Sequence, residues 1–265
     1  MHKNKFLKDN PFCIYCGGAS ASTTWDHMPN KGMFPKDRPG GMEFPCCEAC
    51  NQGSKWFEDI VSALGGIVFN EESDYAAEHF AKRLEHLFKS HPEVRGELSP
   101  YRYQAKNATS VMEGGGAMNL QGPIVSQALL LYGAKLALAL HWKKTGLILP
   151  SHARIGVICF SNEQLFNGGR PSDLFDHLPE GQELRKGKNK SRHSFLFSSA
   201  KAEDSGATAH WAVFGDGIAY NLFVGEKLNV SVLPKENRFS PGCLQIPKPK
   251  PVTVHLGWSA GPVSL

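Results

Sequence analysis

Residues 13–30 read CIYCGGASASTTWDHMPN, and the role of this stretch decides how the first part of the chain folds. Cys13 and Cys16 form a Cys-x-x-Cys pair. A second pair, Cys47 and Cys50, lies in PCCEACN at 45–51. Two knuckles of this spacing can place four thiolates on one ion, the tetrahedral all-sulfur set that Zn2+ takes where its role is structural. Two-residue spacing favours Cys47 over the adjacent Cys46, which is left as a packed thiol beside the cluster.

Composition frames this reading. Five of the seven cysteines fall between 13 and 50, and MHKNKFLKDNPF carries charge but no apolar signal core. Metal ligands are therefore expected rather than disulfides, in a soluble cytoplasmic chain. Cys159, inside RIGVICF, reads as a small core residue, and Cys243 has no evident partner. Hydrophobic residues make up 41% and charged residues 20% of 265, ordinary for a globular protein of one or two domains. A net charge of +4 permits a polyanionic partner without demanding one. The most apolar run, IVSQALLLYGAKLALALHW at 124–142, carries Gln127, Lys135 and His141; it reads as a buried helix, and no membrane contact is expected.

Residues 1–60 hold too little apolar material for a core of their own and need a metal staple. The remainder, 61–265, reads as a helical segment followed by a β-rich region of unknown role. Between 55 and 92 apolar residues recur three and four apart, with Ala77, Phe80, Ala81, Leu84, Leu87 and Phe88 on one face and Asp74 placed to cap. MEGGGAMNLQGP is a loop, and a helix over 123–144 ends at Gly146. Then come short strand-like runs: RIGVICF, SFLFSS, AHWAVFG, IAYNLFVG and LNVSVLP. An Asp-Gly between two of them predicts a hairpin, and the Pro-rich tail is expected to be extended. The fold class is α+β: a zinc-stapled ββα module, central helices, and an antiparallel C-terminal region.

Taken together, CIYCGG, WDHMP and PCCEACNQGSK resemble the HNH endonucleases, whose ββα-metal module often rides on two zinc knuckles. The resemblance extends to bacterial HNH-like proteins with Asp-His-x-Pro, Phe-Pro, Pro-x-Cys-x-x-Cys-Asn and Ser-Lys elements, matched by Phe34, Pro35, Pro45, Asn51, Ser54 and Lys55. It covers about residues 10–60. It implies a metal-dependent endonuclease that hydrolyses phosphodiester bonds in DNA with one divalent ion, Mg2+ or Mn2+. His27 would be the general base, Asp26 and Asn51 would hold the ion, and Cys13, Cys16, Cys47 and Cys50 would hold the structural zinc. The chemistry agrees: imidazole can take a proton from water near neutral pH, and a hard cation prefers oxygen ligands.

One demand is geometric. Neighbours on a regular strand face opposite sides, so Asp26 and His27 can serve one site only if the strand ends or bulges there; Pro29 favours such an end. There is also a departure. Gly40 and Gly41 stand where the family commonly has a middle asparagine, with Asn30 or Glu43 as substitutes. That leaves a second reading, a catalytically inactive zinc module that binds nucleic acid or a protein partner. Asn51 could equally cap a helix starting near Gln52. LRKGKNKSRH at 184–193 brings together Arg185, Lys186, Lys188, Lys190 and Arg192, either as phosphate contacts or as a solvated loop, and Lys55 has the same two readings. His79, His86 and His91 do not form a ligand pair, and Trp211, Phe214, Tyr220 and Phe223 read as sheet core. The sequence leaves a homo-oligomer open.

Overall fold

The computed structural model describes residues 3–34, 38–65, 74–98, 100–101, 117–118, 120, 122–161, 178–186, 189–191, 194–215 and 217–250; at 74–81, 100–101, 117–118, 161, 186 and 189 only the backbone is described. A short helix α1 (Lys3–Asp9) precedes the first knuckle. Strands β1 (Thr24–His27) and β2 (Glu43–Cys46) pair antiparallel, and helices α2 (Glu48–Gly53) and α3 (Lys55–Leu64) follow. Ser54 joins these helices in helical conformation, its N–H bonded to the Cys50 carbonyl and its carbonyl accepting from the Glu58 N–H. The two therefore run on almost as one. Next come α4 (Asp74–Ser90), α5 (Pro92–Glu97), the short pair β3 (Pro100–Tyr101) and β4 (Ala117–Met118), and the long α6 (Pro123–Thr145).

After α6 the chain builds a six-stranded antiparallel sheet from β5 (Arg154–Ser161), β6 (Gln182–Glu183), β9 (Leu196–Lys201), β10 (Thr208–Phe214), β11 (Ile218–Gly225) and β12 (Arg238–Phe239). Its order is β12-β5-β11-β10-β9-β6. A separate small hairpin, β7 (Arg185–Lys186) with β8 (Asn189–Lys190), projects beside it. The expected α+β class is what the chain adopts. Four of the strand-like runs fall on β5, β9, β10 and β11, and the Asp-Gly stretch lies in the loop from Phe214 to Ile218. LNVSVLP is not a strand: Asn229 Oδ1 accepts from the Ser231 N–H and hydroxyl at 3.0 and 2.6 Å, an Asx turn that outcompetes a ladder, and Val232 is 82% exposed. The extended tail lies outside the described residues beyond 250, as do most of MEGGGAMNLQGP and the side chains of Asp74, Ala77, Phe80 and Ala81.

Helix α6 is the hub. It is apolar nearly all round, so it packs on α3 with one side and on the sheet with the other; Leu131, Tyr132, Leu136 and Leu140 are fully buried. Gly133 lets the helix lie close to the sheet, because a Cβ there would sit 2.5 Å from Val157 and 2.9 Å from Tyr220. Both Glu97 carboxylate oxygens accept from the first free N–H groups of α6, at Ile124 and Val125, where a negative charge also complements the helix dipole. Gly146, in left-handed conformation, closes the other end. Among the described residues this is the one helix long and apolar enough to cross a bilayer, and 78% of its most apolar window is buried inside the protein.

On the sheet, β10 alternates buried and half-buried residues, and two of its buried members are polar. His210 Nδ1 lies 2.7 Å from Ser199 Oγ and its Nε2 2.8 Å from Thr208 Oγ1, which in turn is 2.9 Å from His141 Nδ1 on α6. This hydrogen-bonded chain satisfies four polar groups between helix and sheet. Buried apolar residues from Cys13 to Leu244 form one continuous core, and residue 60 falls inside α3.

The four-cysteine cluster and the interior it anchors

The first knuckle is built by backbone hydrogen bonds from Cys13 N to Ser20 O and from Gly18 N to Cys13 O, with Gly17 and Gly18 at φ +69° and +78° where a side chain would be strained. The second sits where β2 runs into α2, with Cys47 as the residue before the helix and Cys50 in its first turn. Ile14 N donates to Pro45 O, so the two knuckles are clamped side by side. The sulfurs of Cys13, Cys16, Cys47 and Cys50 all lie within 4.8 Å of one another, and all four residues are buried. Four thiols gathered this closely and shut away from water could hold a metal ion such as zinc. Hydrogen bonds from the Cys46 and Cys50 thiols lower the Cys13 pKa, and the same bonds raise those of Cys46 and Cys50, while burial raises that of Cys16, so the thiolate is favoured at Cys13. Cys46 stands outside the ligand set, its sulfur 3.3 Å from the Cys47 carbonyl oxygen. That matches the choice of Cys47 made from spacing.

The C-terminal segment closes over this cluster. Gly242 N donates to Tyr15 O at 2.7 Å, and Gln245 Nε2 lies 3.7 Å from Cys50 Sγ. Cys243 and Leu244 between them are buried in the common core. Lys248 adds an ion pair with Glu93 on α5 and a 3.0 Å contact with His91 Nδ1.

Strand β1 is regular through the Asp-His pair. Asp26 faces Phe44 and His27 faces Glu43 in register, and Met28 N still donates to Met42 O. The strand does end at His27, just before Met28 and Pro29, but it does not bulge between Asp26 and His27, so the two side chains still point to opposite faces. His27 is half-buried and contacts Trp25, its neighbour on the same face, with ring centroids 6.0 Å apart. Burial, and then the Arg38 guanidinium, lower its pKa against the opposing pull of Glu43 and Asp26. The imidazole is thus neutral near pH 7.

Asp26 faces inward and is 6% exposed. Its Oδ2 accepts from the Tyr15 hydroxyl at 2.6 Å and lies 3.0 Å from Lys135 Nζ. Lys135 reaches in from α6, is fully buried, and also bonds Glu58 and the Ser54 hydroxyl, the latter at 3.1 Å. Its ammonium lies 5.3 Å from the centre of the Tyr15 ring. All three donors of the ammonium therefore have oxygen partners. Burial alone would lower the lysine pKa, but Asp26 and Glu58 outweigh it and raise it. Burial raises the Glu58 pKa, while the attraction of Lys135 pulls the other way.

Asn51 is half-buried inside α2, in a helix that begins earlier than Gln52, so it is not the helix cap. Together with Ser54 and Glu58 it occupies positions i, i+3 and i+7 of the helical run, which puts it on the face that meets Asp26 and Lys135. The two candidate substitutes for the middle asparagine have local tasks. Asn30 donates to Ser62 Oγ at 2.8 Å and accepts from Tyr132 at 3.2 Å; Glu43 Oε1 accepts from the Gly41 N–H. Arg38 ties the loop between the strands, donating to the carbonyls of Pro29, Pro39 and Gly41 at 2.6, 2.9 and 2.8 Å.

No family model, curated protein or solved structure matches the chain.

Lys55 is exposed at the start of α3. Arg185 and Lys190 are exposed and directly opposite each other on the small hairpin. Lys188, Arg192 and the side chain of Lys186 lie outside the described residues. Tyr15, Glu58 and Lys135 are members of this interior that the motif does not include, whereas Ser54 belongs to its Ser-Lys element.

Proposed function

We propose that the N-terminal part of this chain is an HNH-type, metal-dependent endonuclease acting on DNA. One observation carries the reading: a β-hairpin followed directly by a helix, stapled by four cysteines, with Asp-His on the first strand and Asn51 in the helix just after the last cysteine. The neutral, half-buried His27 suits a general base, since only the unprotonated ring can accept a proton from water. Asp26 and Asn51 offer oxygen atoms from the strand and from the helix. A Mg2+ or Mn2+ ion held between them would draw charge from the scissile phosphate. The exposed Arg185 and Lys190 sit opposite each other as like charges, an arrangement that strand pairing alone disfavours and that a phosphate backbone would relieve.

A specific observation favours a second reading, a zinc module that binds DNA or a protein without cutting. Asp26 is already engaged by Lys135 and Tyr15, and His27 faces away from it.

Plasmid nicking separates the two. Purified zinc-loaded protein is incubated in Mg2+, in Mn2+ and without added divalent ion, beside His27→Ala. The nuclease reading expects metal-dependent nicking that falls by at least ~100-fold in the variant, the range a positioned base contributes, with zinc content unchanged. Equal nicking by the variant would remove His27 from the mechanism. DNA retention with no cutting in either metal would select the second reading.

The basic hairpin gives an independent expectation. Replacing Arg185 and Lys190 with alanine should weaken DNA binding uniformly across sequences and flatten the log–log salt dependence by about 0.9 per lost phosphate contact. An unchanged slope in a filter-binding titration would return the hairpin to a solvated loop.

A further inference from the structure

The geometry points to Lys135 as the resident cation of the site that a divalent ion would otherwise take, an internal plug that must be displaced before metal can bind; this rests on the nuclease reading above. The ammonium is not a surface charge that happens to lie near two acids. It is fully buried, and its oxygen partners come from three places in the fold: Asp26 Oδ2 from β1, Ser54 Oγ from the junction of α2 and α3, and Glu58 from α3. Two carboxylates and a hydroxyl converging on one point form a set that a hard cation also takes. Asn51 lies one turn before Ser54 on the same helical face. The position of the plug is set by packing. Two residues before Lys135, Gly133 fixes the spacing of α6 from the sheet, and Leu136 and Tyr132 beside it are fully buried.

Charge explains why ammonium and metal exclude each other. With Lys135 in place, one positive charge faces two carboxylates and all three of its protons are accepted. Adding a divalent ion would press two cations together in a space closed to water. Without the ammonium, Asp26 and Glu58 are two like charges with no counterion, a state that a divalent ion relieves. Lys135 touches no reacting atom in this scheme. It sets how readily the carboxylate becomes available, so the parent binds a divalent ion weakly and nicks only at high metal concentration, whereas removing the ammonium lowers the concentration needed.

The test uses the full zinc-loaded chain with Mn2+ as probe, read by the electron paramagnetic resonance signal of free Mn2+ and by the thermal midpoint. The variants are Lys135→Met, Lys135→Arg, and Lys135→Met combined with Asp26→Asn. At Mn2+ concentrations that saturate Lys135→Met, the parent and the arginine variant are expected to leave Mn2+ free and their midpoints unmoved. Lys135→Met should be less stable without metal, bind Mn2+, and gain about 5–10 °C at 100 times its dissociation constant. Adding Asp26→Asn should abolish that gain. If Lys135→Met does not fold alone, Lys135→Gln and the refolding yield with and without Mn2+ read the same competition. Mn2+ binding by the parent as tight as by Lys135→Met would overturn the inference and leave the nuclease reading standing. A folded Lys135→Met protein that takes no Mn2+ would also overturn it. Binding through Asp26 without any nicking would sustain the inference and end the nuclease reading instead.

Discussion

Removing the metal from the four-cysteine cluster, or replacing Cys50 with serine, is expected to unfold the β1–β2 hairpin with α2 and to loosen the far end of the chain at the same time. Cys13, Cys16, Cys47 and Cys50 are themselves part of the buried core, so the residues that could hold a metal also pack this region. Structural zinc supplies roughly 10–16 kcal/mol in zinc-finger peptides, against a total stability of about 5–15 kcal/mol for a typical domain. Its loss is therefore comparable to the whole. The distal effect follows from Gln245 at Cys50 Sγ and Gly242 at the Tyr15 carbonyl. Hydrogen exchange before and after metal removal is the measurement. Protection should fall at Ile14, Tyr15 and Phe44 and also at Gly242–Gln245. Retained protection at the first set would mean that the metal is not structural. Loss at the first set alone would mean that the C-terminal segment is held by other contacts.

The second large effect is acid sensitivity with a histidine origin. Burial pushes His210 down to about 3, with help from His141 and Lys144, and His141 down to about 4, with help from Lys201. Both are neutral in the fold and hydrogen-bonded through Thr208 and Ser199. In the unfolded chain they titrate near 6.5. A depressed folded pKa means that the stabilisation is complete above 6.5. It is lost as pH falls from there toward 4 and 3, because the unfolded state gains protons the folded state refuses. Each histidine forfeits about 1.4 kcal/mol per pH unit in that window, so the pair should forfeit on the order of 3 kcal/mol by pH 5.5. Urea denaturation between pH 7 and 5.5, compared with a His141→Leu/His210→Phe variant, isolates this term from proton competition at the cysteines. A profile equally steep in both proteins would place the sensitivity elsewhere.

Much of this fold was legible in residue order because the signals were local. The spacing of Cys47 and Cys50 singled out the cluster, Gly146 marked the end of α6, and alternating apolar runs marked β10 and β11. LNVSVLP failed as a strand because the Asn229 side chain makes its own turn, a competition that apolar content does not reveal. The interior around Asp26 was half legible. The rule that neighbouring strand residues face opposite ways raised the right question about Asp26 and His27, but whether the strand bulges depends on pairing with Glu43 and Met42 across a long loop. Lys135 carried a usable signal. A helix apolar on all sides must bury whatever charge it carries, and a buried lysine must find a carboxylate. Which carboxylate was beyond local reading, because Glu58 is 77 residues away and Asp26 farther still.

The closing of the C-terminal segment over Cys50 also has a temporal side. The contact between Gln245 and Cys50 joins residues 195 apart in sequence. At a synthesis rate of about 5–20 residues per second, roughly 10–40 seconds separate the emergence of the two. All four cysteines of the cluster are made at the start of that interval, and α6 is complete about midway through it. Assembly of the four cysteines and their burial are thus separable in time during biogenesis. The cluster is among the first parts of the chain that can assemble and the last to be sealed.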